Sequence, residues 1–252
     1  MTCYLCNNRV MKVIFDYTKP DKYERWVGIT EVSRQWAECV SCGFIQSFRN
    51  YPLERLEKIY KDGYRHPVFR GEAIGETYQK IVSLPKEHSE NMRRCEWLWR
   101  YADPCKILDI GSGLGVFPVK IEANGFSVDC VEENKDSIEF IRDMGFNCYD
   151  KIPGKVYGMV TLIHVLEHID DPVSFLQGIK KNIGKWLFVE VPSAIEFEYL
   201  DKNHDEFNSC HVKFYTQETL RTLLRKAGLS VSHITTMHYG TRNLSRILAL
   251  CG

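Results

Sequence analysis

From Cys105 to the end of the chain, apolar strand-like runs alternate with amphipathic helix-like segments. The strand-like runs are KILDI, SVDCVE, FNCY, MVTLIHV, KWLFVEV, LSVSHITTM and SRILALC. Between them lie helical segments such as KDSIEFIRDMG and TQETLRTLLRKAG, each ending near a glycine, as helices often do. Regular alternation of strand and helix predicts an α/β fold with a mostly parallel, doubly wound sheet.

A glycine-rich turn follows the first of these strands, in the run KILDIGSGLGVF. Glycines let the backbone approach a ligand at the carboxyl end of the first strand, where such sheets bind nucleotides. The spacing of Gly111, Gly113 and Gly115 is G-x-G-x-G, which matches neither the dinucleotide fingerprint nor the phosphate loop. Asp109 precedes the turn, and its charge would repel a pyrophosphate but suits a cationic ligand. Glu132 ends the next strand, where a carboxylate can accept hydrogen bonds from a ribose diol.

Together these motifs resemble those of the class I S-adenosylmethionine (SAM)-dependent methyltransferases over residues 105–252. ILDIGSGLG is similar to their first motif, VEEN to the end of their second strand, VTLIHVLEHIDDP to the fourth strand and its turn, and VEVPS to the fifth. HVKFYTQETLRTLLRKAGLSV resembles the segment that leads to their last two strands. The resemblance implies a seven-stranded Rossmann-like sheet whose last strand is antiparallel. It also implies SAM-binding residues for the methionine end, the ribose and the adenine side: Asp109, Gly111, Ser112, Gly113, Gly115, Glu132 and His164.

The run HVLEH, from His164 to His168, matches the H-x-x-E-H pattern of zinc peptidases. That pattern needs two turns of helix, whereas here it follows a buried strand, MVTLI. The methyltransferase resemblance instead implies that Glu167 and His168 face the acceptor, with His168 as general base for a hydroxyl group. The alternative is that this pair only fixes the turn. His211 is a second candidate for catalysis, and His204 is a weaker third.

Two C-x-x-C pairs lie near the start of the chain. Four thiolates from two tight turns can bind one tetrahedral zinc ion, and the glycine after the second pair, in CVSCGF, suits such a turn. Redox C-x-x-C motifs normally begin a helix in a thioredoxin-like unit, and neither pair does. We predict a structural, non-catalytic Zn²⁺ with four ligands: Cys3, Cys6, Cys39 and Cys42.

The chain therefore divides into three predicted segments. Residues 1–48 are a zinc-ribbon-like segment with the four paired cysteines, residues 49–104 are a helical lead-in or lid, and residues 105–252 are the SAM-dependent domain. Within the lead-in, PLERLEKIYKDG and PKEHSENMRRCEWLWRYADP have proline and glycine boundaries typical of helices. Its aromatic residues either form a lid over the cofactor or pack the segment onto the sheet: Tyr60, Tyr64, Phe69 and Tyr78.

A finer resemblance concerns the acceptor. The run WAECVSCGFIQS, followed by YPLERLEKIYKDGY, is similar to the lead-in of methyltransferases that modify sugars, nucleotide-sugars and bacterial natural products. It implies methylation of a small-molecule acceptor at a hydroxyl of a sugar, nucleotide-sugar or glycan precursor. One alternative is C-methylation of a keto-sugar, although the further C-terminal domain of such enzymes has no counterpart here. The other is an RNA or protein methyltransferase that uses the zinc ribbon as a reader.

Charge and hydropathy indicate which kinds of binding partner the chain can have. The chain has 33 basic and 33 acidic residues and no long basic run, which argues against a nucleic-acid partner. No run approaches the roughly 18 apolar residues of a membrane span. The N-terminal MTCYLCNN has neither the basic start nor the apolar run of a signal peptide. We therefore expect a cytoplasmic enzyme without a membrane partner.

Overall fold

The computed structural model describes residues 1–63, 72–239 and 244–252. In chain order the strands are β1 (Met11–Tyr17), β2 (Arg34–Cys39), β3 (Ile45–Arg49), β4 (Lys106–Ile110), β5 (Ser127–Val131), β6 (Asn147–Tyr149), β7 (Tyr157–Ile163), β8 (Ile183–Pro192), β9 (Lys213–Phe214), β10 (Val231–Tyr239) and β11 (Leu244–Cys251). The α-helices are α1 (Lys22–Trp26), α2 (Ile74–Val82), α3 (Glu90–Trp99), α4 (Val116–Glu122), α5 (Lys135–Asp143), α6 (Pro172–Ile179), α7 (Glu196–Tyr199) and α8 (Gln217–Lys226).

The larger sheet has seven strands in the order β10-β11-β8-β7-β4-β5-β6. Strands β4 to β8 pair in parallel, whereas β11 lies between β8 and β10 and is antiparallel to both. All eight residues of β11 are buried, as expected for a strand covered on both faces. The predicted fold class is therefore confirmed, including the antiparallel last strand.

Helices cover both faces of this sheet, so its central strands are buried on each side. One hydrophobic cluster joins the sheet to α6 and α8, through side chains such as Leu176 and Leu223. The other joins the opposite face to α3, α4 and α5, through side chains such as Leu98, Ile121 and Ile141. This two-sided packing leaves the carboxyl ends of the parallel strands as the place where loops can form a site.

A second sheet contains four strands in the order β1-β2-β3-β9, all antiparallel. Strands β1 to β3 belong to the segment with the paired cysteines; since β3 ends at Arg49, residues 1–49 are called the ribbon below. Strand β9 comes from the segment after α7, so the ribbon sheet extends beyond residues 1–48. Cys3, Cys39 and Phe44 of the ribbon lie in the same hydrophobic cluster as β7 and β8. The ribbon is thus packed directly against the larger domain.

The lead-in is less regular than its sequence pattern predicts. Its first part is a 3-10 helix at Leu53–Leu56 that continues into a π-helical turn at Ile59–Gly63. Tyr78, on α2, packs edge-on against Phe140 with ring centroids 5.3 Å apart, so this aromatic residue packs rather than forms a lid. Two further residues of the predicted lid, Tyr64 and Phe69, lie outside the described residues.

Three more short 3-10 helices connect elements of the larger domain: Leu166–His168, Lys180–Asn182 and Asp205–Phe207. Another, Lys86–His88, precedes α3. Within the described ranges, no helix has both the length and the apolar character that crossing a membrane requires.

Candidate functional site

The glycine-rich turn connects β4 to α4 in a conformation that requires glycine. Gly111, Gly113 and Gly115 have φ angles of +77°, +60° and +71°, which lie in the left-handed region that L side chains rarely adopt. A Cβ atom on Gly111 would also lie 2.8 Å from Cγ2 of Val165, closer than packed atoms allow. The turn therefore exposes its backbone at the carboxyl edge of the sheet, where a ligand can approach it closely.

Asp109 sits at the end of β4, almost fully buried beneath this turn. The Thr161 hydroxyl on β7 donates to its Oδ1 at 2.6 Å, and Ser112 donates to its backbone carbonyl at 2.8 Å. Burial raises the pKa of Asp109 to about 6, against the opposing effect of hydrogen bonds from Thr161 and Ser112. A positive charge placed beside this carboxylate would favour its ionised form.

Glu132 follows β5 and faces the same turn. Its two carboxylate oxygens accept the backbone amides of Gly113, at 2.9 Å, and Asn134, at 3.1 Å. A carboxylate has about four acceptor positions, so hydrogen bonds from a vicinal diol remain compatible with these two. The exposed backbone of the turn, the buried acid and this carboxylate form the arrangement that the sequence predicted for a cationic nucleoside such as SAM.

A cavity of about 750 Å³ opens at this edge of the sheet. It is lined by Gly111, Gly113 and Glu132, and also by Tyr60 and His168. Its volume is typical of a small-molecule site, which spans roughly 300–1,000 Å³. Gly111, Gly113, Glu132 and His164, four of the seven residues predicted to hold the cofactor, therefore line the same cavity as His168, and the lead-in supplies part of its wall. Asp109, Ser112 and Gly115 are not among its lining residues.

His168 ends the 3-10 turn after β7. Its Nδ1 lies 3.0 Å from the backbone carbonyl of Cys210 and 3.0 Å from the Tyr60 hydroxyl. Because a carbonyl can only accept, Nδ1 carries the proton and Nε2 is the nitrogen with a free lone pair. Burial, followed by the nearby His211, lowers the pKa of His168 to about 4. The imidazole is therefore neutral at neutral pH and can accept a proton.

The predicted partners of His168 lie beside it. The His211 ring packs edge-on against it with centroids 4.7 Å apart, and His211 Nδ1 donates to the Glu206 carbonyl at 2.7 Å. Glu167 is completely buried, and among the described residues its Oε2 has no hydrogen-bond partner. One ligand-type atom from each of Glu167, His168 and His211 lies within 4.8 Å of the others. The structure thus brings all three predicted residues together, in a donor set that a divalent cation could also use.

His164, which is predicted to flank the adenine of SAM, lies between two carboxylates. It lines the cavity, but its Nδ1 lies 3.0 Å from Glu167 Oε1 and its Nε2 lies 3.3 Å from Glu190 Oε1. Burial opposes its ionisation, yet the hydrogen bonds with these two carboxylates raise the pKa of His164 to about 9. In turn His164 lowers the pKa of Glu167 to about 2 despite the burial of that carboxyl. His164 is therefore an imidazolium between two carboxylates.

The row of buried charges formed by Glu167, His164 and Glu190 ends at Arg94, a residue that the sequence motifs did not indicate. Arg94, on α3, makes a two-pronged ion pair with Glu190, with N–O distances of 2.8 and 2.5 Å. Both side chains are buried, and the pair keeps the pKa of Glu190 well below its usual range despite burial. A signal was present, because Glu190 interrupts the apolar run WLFVEV, where an unpaired charge would be costly.

His204 does not join the cluster. It is exposed and lines a different cavity, beside Lys202 and Asp205, and its Nδ1 accepts the amide of Glu206 at 3.2 Å. Its position makes it a helix-capping residue rather than a catalytic one.

The four N-terminal cysteines converge. One Sγ–Sγ distance across the pairs is 3.6 Å, between Cys3 and Cys42, and another is 3.5 Å, between Cys6 and Cys39. Tetrahedral zinc with Zn–S bonds of about 2.3 Å requires sulfurs roughly 3.8 Å apart. The cysteines therefore fit a Zn²⁺ ion in both number and spacing.

The two cysteine turns also match each other in backbone geometry. The residue after each pair, Asn7 or Gly43, has a left-handed φ of +60° or +69°. Each donates its amide to the carbonyl of the first cysteine of its pair, at 2.9 Å to Cys3 and 2.8 Å to Cys39. Burial opposes ionisation of Cys39, but amide donors from Cys42 and Ser41 help lower the pKa of this thiol to about 7. Two such turns can present thiolates to a shared ion.

Comparison with known proteins identifies the family to which this architecture corresponds. The sequence model of the family described as "Methyltransferase domain" matches residues 64–234. Among curated proteins, the chain is similar to the ubiquinone biosynthesis O-methyltransferase of Pseudomonas aeruginosa (strain LESB58), at 24% identity over 60% of this chain and 77% of that protein. It is also similar to the enzyme of the same name from Aeromonas salmonicida (strain A449), at 27% identity over 60% and 75%.

Solved structures share the fold. Magnesium protoporphyrin IX methyltransferase from Synechocystis PCC 6803, with bound SAH, superposes with a TM-score of 0.59 at 14% identity, covering 77% of this chain and 98% of that one. A possible histamine N-methyltransferase from Thermotoga maritima gives a TM-score of 0.55 at 17% identity, covering 75% and 97%. At these identities the likeness concerns the fold alone.

Proposed function

Because this chain belongs to the methyltransferase-domain family of SAM-dependent enzymes, we propose that it methylates a hydroxyl group of a small-molecule acceptor, with His168 as general base. The observation that carries this proposal is the shared cavity, in which a neutral histidine and the glycine-rich turn line the same space. A SAM-binding half and a proton-accepting half are what an O-methyltransferase requires.

The proposed reaction is a single displacement. Bound SAM supplies an electrophilic methyl group on a sulfonium. The acceptor oxygen forms a bond to the methyl carbon as the carbon–sulfur bond breaks, and the sulfonium becomes a neutral thioether. The hydroxyl proton passes to Nε2 of His168, whose Nδ1–H stays on the Cys210 carbonyl. The ionised Glu167 lies close enough to stabilise the imidazolium that forms.

The cofactor half follows from the residues already described. Glu132 would accept the ribose hydroxyls, while Asp109 and the Gly111–Gly115 turn would face the methionine end of SAM. In this arrangement the acid under the turn offsets the positive charge of the ligand. The hydrogen bond from the Ser112 hydroxyl to the Asp109 backbone carbonyl stabilises the turn.

For the acceptor, we propose the hydroxyl of a sugar or related glycan precursor, as the ribbon resemblance implies. The names of the relatives specify O-methylation, which supports a hydroxyl over the carbon of a keto-sugar. Among the described residues, carboxylates outnumber lysines in the cavity lining: Glu54, Glu57, Glu132, Glu133, Asp150 and Asp170 against Lys61 and Lys151. Such a lining favours an acceptor with no phosphate beside the reacting hydroxyl.

The test is a mass-spectrometric screen for a methyl gain with SAM and three acceptor groups. These are uncharged sugars, nucleotide-sugars and the hydroxylated ring precursors of ubiquinone. We expect methylated product with uncharged sugars. Product only with ring precursors would replace the sugar assignment, and failure of the pure protein to bind SAH in isothermal titration would overturn the SAM site itself.

We also propose that Cys3, Cys6, Cys39 and Cys42 hold one structural Zn²⁺ ion. The spacing of the sulfurs and the paired backbone turns support it. Elemental analysis of the purified protein should give one zinc per chain, and Cys42→Ser should reduce that content. A wild-type protein without bound metal after purification in zinc-containing medium would refute the assignment.

A further inference from the structure

We propose that the zinc ribbon is a positioning element of the acceptor half of the site, and that Arg49 is the residue through which β3 aligns His168 and His211. This inference rests on the proposed function of those histidines. In this proposal the ribbon packs against residues 209–214 and holds them in contact with the Leu166–His168 turn.

The first observation is a continuous backbone ladder. On one side of Val212, its carbonyl accepts the amide of Ser47 in β3 at 2.9 Å. On the other side, its amide donates to the carbonyl of Glu167 at 2.7 Å. The ladder continues where β3 pairs with β9, with Gln46 opposite Lys213. One residue thus connects the ribbon sheet directly to the turn that carries His168.

The second observation is the placement of Arg49. Its guanidinium donates to the carbonyl of Ser209 at 2.8 Å and to that of His211 at 3.4 Å. The carbonyl between them, that of Cys210, is the one that accepts Nδ1–H of His168. Arg49 therefore clamps the two peptide groups that flank the acceptor on which the His168 tautomer depends.

The third observation is that the cysteine turns touch the same region from another side. Tyr4, between Cys3 and Cys6, donates its hydroxyl to Asp171 and accepts the amide of Val173 at 3.1 Å. These contacts fix the start of α6, immediately after the Leu166–His168 turn. Since Tyr4 lies inside a cysteine pair, its position depends on the folded state of that turn.

The fourth observation is an aromatic contact made by Phe44, which follows the second cysteine pair. Phe44 packs against Tyr215 with ring centroids 5.6 Å apart. The Tyr215 hydroxyl donates to the carbonyl of Leu166 at 3.3 Å, so this contact also ends at the turn that carries His168. Side chains therefore link the second cysteine turn to the Leu166–His168 turn and the first cysteine turn to the start of α6 that follows it.

The cofactor half is supported from elsewhere. The hydrogen bonds described for Asp109 come from Thr161, and those for Glu132 come from Gly113 and Asn134, all within the α/β domain. Loss of zinc or of Arg49 should therefore loosen the acceptor half selectively. A ribbon that serves only global stability would loosen both halves together.

The experiment compares hydrogen exchange by mass spectrometry in wild-type protein with and without zinc, and in Arg49→Met, all saturated with SAH. Zinc is removed with a mercurial thiol reagent and a chelator, then restored with excess dithiothreitol and ZnCl₂. We expect exchange of the 166–171 and 209–214 peptides to rise about tenfold or more, as expected when a hydrogen bond worth roughly 1.4 kcal/mol is lost. The 107–115 peptide should keep its protection, and SAH affinity should stay within about twofold.

Two variants make the result specific to Arg49. Arg49→Lys keeps the charge and should recover part of the protection, whereas Lys12→Met removes an exposed cation on β1 and should change nothing. Equal loosening of the 107–115 peptide, or unchanged exchange at 166–171 and 209–214, would overturn the proposal. Because neither readout uses an acceptor, a wrong acceptor assignment would leave this result intact.

Discussion

The hydroxyl of Tyr60 lies 3.0 Å from Nδ1 of His168, although 108 residues separate them in the chain. The same hydroxyl donates to the Cys210 carbonyl at 3.2 Å. The lead-in therefore meets the site at the nitrogen that fixes the tautomer of the proposed base. Its contribution to the site is orientation, since the lone pair for the acceptor proton is on the other nitrogen.

Replacing His168 tests the proposed base directly. His168→Ala should lower kcat by about 10²–10⁴-fold, the usual contribution of general base catalysis. SAH binding should be unchanged, because the proposed cofactor contacts do not involve this side chain. Steady-state kinetics and isothermal titration check both expectations, and His204→Ala, an exposed histidine in the other cavity, serves as the matched control. Normal turnover of His168→Ala would mean that the residue only shapes the turn.

The pH dependence of catalysis should reflect the lowered pKa of His168. A base must be unprotonated to act, and burial and His211 bring this pKa to about 4. The ratio kcat/KM for the acceptor, measured at saturating SAM so that the bound positive charge keeps Asp109 ionised, should therefore hold its plateau well below pH 6.5, the ordinary value for histidine, and decline only on approach to pH 4. Initial rates from short pH-jump assays avoid acid unfolding. An acid limb centred at or above pH 6.5 would contradict this assignment.

Because of His164, the folded protein should lose stability as the pH rises into the alkaline range. Its pKa is raised from 6.5 to about 9 in the folded protein, so folding retains a proton that the unfolded chain releases. The resulting stabilisation is fully present below pH 6.5 and is lost as the pH rises through 9. We expect Tm to fall over this interval, and to fall less in His164→Gln, which cannot titrate. Parallel Tm curves for the two proteins would show that His164 is not the group responsible.

Replacing only one residue of the Arg94–Glu190 ion pair should lower the free energy of unfolding substantially. Among the described residues, Arg94→Met leaves the buried Glu190 carboxylate with His164 as its one ionic partner, and such a loss typically destabilises a protein by about 3–5 kcal/mol. The double variant Arg94→Met/Glu190→Gln removes the charge that lost Arg94 and should recover part of that loss. Urea unfolding measures both free energies. A double variant less stable than Arg94→Met would show that Glu190 is stabilised mainly by other groups.

Local patterns in the sequence were sufficient to predict the sheet and the approach of the four N-terminal cysteines to one another. Strands β4, β5, β7, β8 and β11 coincide with apolar runs, and strands that are buried on both faces produce such runs. The spacing of Cys3, Cys6, Cys39 and Cys42 is likewise a local signal. In contrast, β9 has only two residues, too few for a periodic pattern to identify.

Ion pairs between residues far apart in the chain could not be predicted from such local patterns. Arg94 and Glu190 lie on α3 and β8, and nothing in either local pattern specifies that they meet. The left-handed φ of His164, +55°, is equally hidden, because no glycine marks that position in the sequence. Sequence motifs therefore identified His168 and Glu167 as a candidate pair, but the charges that hold Glu167 ionised required the fold.

The carboxylate of Glu132 supplies the sharpest test of the cofactor site. It is proposed to accept both hydroxyls of the ribose while keeping its bonds to the Gly113 and Asn134 amides. Hydrogen bonds to a charged group are worth about 1.5–3 kcal/mol each, so Glu132→Ala should weaken SAH binding by at least tenfold. Isothermal titration gives this affinity.

Two further variants separate the ribose contacts from general effects of charge. Glu122→Ala removes an exposed carboxylate at the end of α4 and should leave the affinity for SAH unchanged. Glu132→Gln keeps the shape of the side chain but replaces one acceptor oxygen with a donor amide, so it should bind SAH almost as poorly as Glu132→Ala. If Glu132→Ala bound SAH as tightly as wild type, the ribose would have to lie elsewhere in the cavity.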